Sequence, residues 1–94
     1  MGILAPRMPR IVVEESFDPP LTAEMHAQLT AALKPCLDLR DATWVGSHMS
    51  ADRTRCICIY DAKDAQMVRD AYRSAGFKYD RVWVSTDWGP AVTG

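Results

Sequence analysis

Residues 43–61, TWVGSHMSADRTRCICIYD, hold two runs of alternating side-chain character around the short polar stretch ADR. Alternation with a period of two marks a β-strand, and two such runs about a brief turn make an antiparallel hairpin. A lone hairpin is barely stable, so the flanking chain must complete a sheet. Upstream, RIVVEESF reads as a first strand that DPP ends. Thr22 then caps a helix with Met25, Leu29, Ala32, Leu33 and Cys36 on one stripe, and Pro35 is expected to kink or end it. Downstream, a second helix is expected over 63–75, with Asp61 near its start and Gly76 as its C-cap, and DRVWVST is the last strand. The order β-α-β-β-α-β predicts an α+β, ferredoxin-like sandwich. Its four-stranded antiparallel sheet carries two helices on one face, with strands one and three at the centre.

The 94 residues suffice for one domain, expected over 9–87, with a flexible leader over 1–8 and a C-terminal tail over 88–94. A chain of this size buries only roughly 60–65% of its unfolded surface, so a partner would add to its stability. The formal net charge is -1 and no basic stripe is present, which argues against nucleic acid and against an anionic membrane surface. The opening MGILAPRMPR lacks the apolar core of a signal peptide, and no stretch is long enough to span a membrane. The expectation is a cytoplasmic protein whose three cysteines stay reduced.

Alternation divides each strand into two sets. One set, Ile11, Val13, Val45, Met49, Ile57, Ile59, Val82 and Val84, is aliphatic and is expected under the helices. The other collects Val12, Glu14, Ser16, Trp44, Gly46, His48, Cys56, Cys58, Tyr60, Arg81, Trp83 and Ser85. This second face is too aromatic to be solvated and too polar to be a core. Trp44, Tyr60 and Trp83 together make an apolar patch that needs a cover, and a second copy of the chain is the simplest one. Two sheets packed in this way form a dimeric α/β barrel with a cavity between them.

A three-residue ADR loop would set Ser50 opposite Thr54 and His48 opposite Cys56. Opposed Cβ atoms lie about 4.5–5.5 Å apart, within chelating reach. Cys56 and Cys58, two apart on one strand, have Cβ atoms roughly 6.5–7 Å apart, whereas a disulfide needs about 3.5–4.5 Å. Glu14 can approach from the first strand, where it can also pair with Arg81. Imidazole, thiolate and carboxylate together suit nickel, zinc or copper better than magnesium or calcium. The same residues also suit a pocket walled by Trp44, Tyr60, Trp83 and Arg81, with a few convergent polar groups. His26 falls off the helix stripe and is expected in solvent, while Cys36 is expected in the core.

From Met8 onward the chain resembles a bacterial family of small proteins of unknown function, one member of which is described as nickel-binding. The stretches that carry the resemblance are MPRIVVEESF, LTAEMHAQL, HMSADRTRCICIYDA and MVRDAYRSAGFKYDRVWV, spread over residues 8–87. The resemblance implies a ferredoxin-like, dimeric protein. His48 and Cys58 fall where the nickel-binding member has a histidine and a cysteine. Its further histidines correspond here to Tyr72, Phe77 and Trp83, which are poor metal ligands.

Two functions follow as expectations. The first is a small homodimeric transition-metal-binding protein of the nickel type. Its ligands would be His48 and Cys58, completed by Cys56 or Glu14, on the face away from the helices. The second is a cofactor-free enzyme or binding protein for a small aromatic or apolar molecule, of monooxygenase, isomerase or cyclase type, in the dimer cavity. No motif assigns a reaction.

Overall fold

In the computed structural model, which describes residues 8–86, 88 and 90, the strands are β1 (Arg10–Ser16), β2 (Thr43–Met49), β3 (Arg55–Asp61) and β4 (Arg81–Ser85). They form one antiparallel sheet in the order β2-β3-β1-β4. The helices are α1 (Ala23–Asp38), between β1 and β2, and α2 (Ala65–Ala75), between β3 and β4. The βαββαβ sandwich expected from the sequence is therefore the observed fold. The expected leader lies outside the described residues save for Met8, and of the expected tail only Trp88 and Pro90 are described.

Each helix begins where a side chain satisfies a free backbone donor. Thr22 accepts from the Met25 amide at 3.1 Å, and Asp64 from the Met67 amide at 2.9 Å. Asp64, as the cap, moves the start of α2 two residues past the expected position. Gly76 ends α2 with φ 79°, a left-handed backbone that suits glycine. Pro35 lies inside α1 and does not end it. It sits in the last turn and leaves the Ala31 carbonyl, four residues back, without its usual helical donor. Arg40 Nη1 there donates to the Cys36 carbonyl at 2.8 Å, satisfying one of the helix-end acceptors.

The core lies between helices and sheet. Leu33 and Leu37 of α1 and Val68, Ala71 and Tyr72 of α2 pack on Ile11, Val13, Cys56, Cys58, Tyr60 and Val82. Strands one and four therefore present the expected side chains to the helices, but strand three presents the opposite set. Cys56, Cys58 and Tyr60 are buried beneath the helices, and Ile57 and Ile59 face away.

The cause is the hairpin loop. The Ser50 amide donates to the Arg55 carbonyl at 2.8 Å and the Arg53 amide to the Ser50 carbonyl at 2.9 Å. The loop is thus 51–54, one residue longer than ADR, with Arg53 at φ 62°. His48 consequently faces Ile57, and Met49 faces Cys56. A slip of one residue turns every side chain of a strand over, and this one does so. On the other side of β3, Ile11 pairs with Tyr60 and Val13 with Cys58, which commits both cysteines to the core. Small, weakly polar thiols fit such a place well.

Strand two carries a second correction. Its register shifts between Trp44, opposite Tyr60, and Gly46, opposite Ile59, so Val45 is an extra residue. Trp44 is thereby turned to the helix side, while Gly46 and His48 keep the open face as expected. The open face is left with Val12, Ile57, Ile59 and Trp83 as its apolar middle.

This strand phase predicts thiol reactivity. In the native protein a neutral disulfide reagent should modify half-buried Cys36 well before buried Cys56 and Cys58. All three should react at once in denaturant. Fast modification of two thiols in the folded chain would contradict the phase.

Candidate functional site

The sheet separates two groups of chemically capable side chains. On the helix side a cavity of about 240 Å³ lies between α1 and the strands. Leu29, Leu33, Leu37, Phe17 and Phe77 give it apolar walls, and Trp44 and His26 line it too. Their rings are 6.0 Å apart. His26 is thus half-buried against the cavity and not in solvent as expected, because the stripe that faces the sheet runs through 26, 29, 33 and 37. Cys36 is half-buried and packs at the edge of the core.

A connected polar cluster closes the cavity. Tyr60 and Tyr72 hydroxyls meet at 2.6 Å, and the Tyr72 hydroxyl donates to Glu15 Oε1 at 3.2 Å. The Cys58 thiol donates to the same oxygen at 3.2 Å. It accepts in turn from the Ser47 hydroxyl at 3.1 Å, and Trp44 Nε1 donates to that hydroxyl at 2.9 Å. The Cys56 and Cys58 sulfurs are 3.7 Å apart, too far for a disulfide bond. Burial raises the Glu15 carboxyl above its usual range, only partly countered by its hydrogen bonds from Cys58 and Tyr72. Burial likewise pushes both thiols and both phenols up, so all four stay protonated at neutral pH.

Glu15, Tyr72 and Ser47 were absent from the residues expected to matter. A signal for Glu15 was present: Ile11, Val13 and Glu15 alternate, so placing Glu14 on the open face implies a carboxylate beneath the helices. Tyr72 offered no such sign, since a tyrosine on a helix is ordinary core.

On the open face, Glu14 and His48 flank Ile57 in one cross-strand row, with Arg81 beyond Glu14. His48 is exposed, and among the described residues its ring makes no hydrogen bond. The two line a common recess with Ser50, Arg55 and Ile57, and Glu15, Met49 and Cys56 border it as well. Glu14 forms no ion pair with Arg81 and instead accepts from Trp83 Nε1 at 2.7 Å.

The sheet therefore divides the expected metal set. Glu14 and His48 lie on one side, Cys56 and Cys58 on the other, and no cross-strand pairing of His48 with Cys56 exists. Among the described residues, no group of three or more His, Cys, Asp and Glu side chains is placed to hold a metal ion. The expected pocket wall is divided likewise. Trp44 and Tyr60 line the helix-side cavity, whereas Trp83 and Arg81 lie on the open face.

A family model described as nickel responsive protein SCO4226-like matches residues 11–84. Among solved structures, the crystal structure of SCO4226 from Streptomyces coelicolor A3(2) is similar, with a TM-score of 0.75 and 12% sequence identity. The match covers 85% of this chain and 99% of that one. At that identity the likeness establishes the shared fold. No curated protein matches the chain.

The half-buried Glu15 gives a prediction with a definite sign. A carboxyl whose folded pKa is raised costs stability as pH climbs from its ordinary value near 4.5 through the folded value. Glu15→Gln should therefore melt higher than the native protein at pH 7, and the difference should vanish below pH 4.5. Tyr72→Phe, which removes a hydroxyl bonded on both sides, should cost about 1 kcal/mol in urea denaturation.

Proposed function

Because the chain belongs to the nickel-responsive SCO4226-like family, we propose that it binds a divalent transition metal of the nickel type, as a homodimer, through the sheet face away from the helices. The observation that carries this reading is the exposed, unbonded His48 ring sharing a recess with Glu14. Imidazole and carboxylate are donors that nickel, zinc and copper accept. His48 and Glu14 of one chain are by themselves too few to hold a metal ion. A two-fold axis through the open face doubles them to two imidazoles and two carboxylates.

Cys56 and Cys58 are left out of this donor set. A metal needs thiolates, and these thiols are buried, hydrogen-bonded and held protonated. The apolar middle of the face supports the second copy: Ile57 is 40% exposed and Trp83 44% exposed, with Val12 between Trp83 and Ile59. Trp83 also holds the Glu14 carboxylate through its indole N–H, which limits the positions that Glu14 can take. The bound ion would supply positive charge between two copies whose faces each carry a carboxylate.

We place the protein in the cytoplasm, where unpaired thiols persist. No helix among the described residues is long and apolar enough to cross a membrane.

Calorimetry with nickel(II) on protein lacking any histidine tag, at pH 7.5, tests the site. His48→Ala should abolish binding and Glu14→Gln should weaken it about tenfold, the scale of one lost charged contact. Cys58→Ser should leave it unchanged. Affinity should fall on acidification, because protons and metal compete for the same ligand atoms. Sedimentation should show a dimer that Trp83→Glu weakens by burying a charge. A monomer at micromolar concentration, or nickel binding lost with Cys58 and kept without His48, would sink the reading.

A further inference from the structure

The helix-side cavity is separated from the open face by the sheet itself, and its chemistry is different. Its volume of about 240 Å³ exceeds the roughly 150 Å³ that suffices for benzene. It falls below the roughly 300–1,000 Å³ of sites for drug-sized ligands. A single substituted ring fits that interval. Leucine and phenylalanine side chains supply most of the wall, which suits an apolar body.

Polar side chains line the wall too, His26, Thr30, Lys34, Asp38 and Thr43 among them, and Glu15 is one with spare capacity. Glu15 Oε1 already receives the Cys58 thiol and the Tyr72 hydroxyl. Oε2 receives no hydrogen bond among the described residues. No buried side-chain oxygen or nitrogen among them lacks a partner, so Oε2 is not sealed off. Its neighbours cannot turn to it easily. The Tyr72 hydroxyl is held between Tyr60 and Glu15, and the Cys58 thiol between Ser47 and Glu15. A carboxylate fixed by two donors at one oxygen, and open at the other, is a preorganised acceptor for a ligand donor.

We propose that this cavity is a binding site for a compact, neutral, single-ring molecule bearing one hydroxyl group, with the ring against the leucines of α1 and the hydroxyl donating to Glu15 Oε2. Trp44 and His26, packed ring against ring, lie at the helix-side wall and add aromatic surface to the ring site. Nothing in this arrangement requires a metal or a second copy.

4-Ethylphenol and ethylbenzene are suitable probes, titrated into protein with labelled leucine and isoleucine methyl groups and followed by NMR. Binding of 4-ethylphenol should shift the methyls of Leu29 and Leu33 saturably, and leave Ile57 and Ile59 on the open face unmoved. Glu15→Leu should weaken 4-ethylphenol about tenfold, the scale of one hydrogen bond, while ethylbenzene binds as before or tighter. Leu29→Trp, at a half-buried position on the cavity wall, should fill the space and abolish both. That variant keeps the test decisive if Glu15→Leu fails to fold. The proposal is overturned if 4-ethylphenol gives no saturable shift up to about 5 mM, weaker than any affinity a specific site of this size would show. It is equally overturned if the shifts fall on Ile57 and Ile59, or if Glu15→Leu weakens both probes alike.

Discussion

Asp52 holds the tip of the β2–β3 hairpin, and the arrangement of the molecule depends on the register it sets. Its Oδ1 accepts from the Ser50 hydroxyl, the Thr54 amide and the Thr54 hydroxyl, at 2.8, 3.1 and 2.7 Å. Those bonds, from Thr54 first and Ser50 next, pull its carboxyl down to about 2. The lowered pKa means that its contribution is in place above pH 3.8 and drains away as pH falls toward 2. These bonds add to the backbone bonds that close the loop over 51–54, while the pairing of β3 with β1 holds its thiols inside.

With that phase set, the sheet works as a partition. Beneath the helices lie the groups that stay protonated, the two thiols and the two phenols, gathered around a half-buried acid. On the other side lie the polar side chains of His48, Glu14 and Arg81, around an apolar middle. A protein of this size has room for one core, so its two chemistries are kept apart by a single layer of backbone. Each can be altered without touching the other, because neighbouring residues along a strand point to opposite sides.

Much of this was legible in the sequence. Strand and helix order, the caps Thr22 and Gly76, and the faces of β1 and β4 all followed from local patterns. Two local irregularities were not legible. Loop length is set by side chains such as Asp52 bonding within the turn, and the letters ADR do not reveal whether Thr54 belongs to the turn or the strand. A bulge at Val45 leaves no mark in hydrophobicity, since valine suits either position. Hydrophobicity also misled at β3, where isoleucine outranks cysteine, although β1 already offered Tyr60 and Cys58 their partners. The bulge turned Trp44 over and the longer loop turned all of β3, and so the candidate site divided, with His48 and Glu14 on one side and Cys56 and Cys58 on the other.

The extra residue at Val45 has one more effect. β2 is an outer strand, and a regular outer strand offers its unpaired amides and carbonyls to any other extended chain. A bulge bends the strand and interrupts that row, which makes it a poor template for the next strand. Continuation of the sheet past β2 into ribbons or fibres is thereby discouraged.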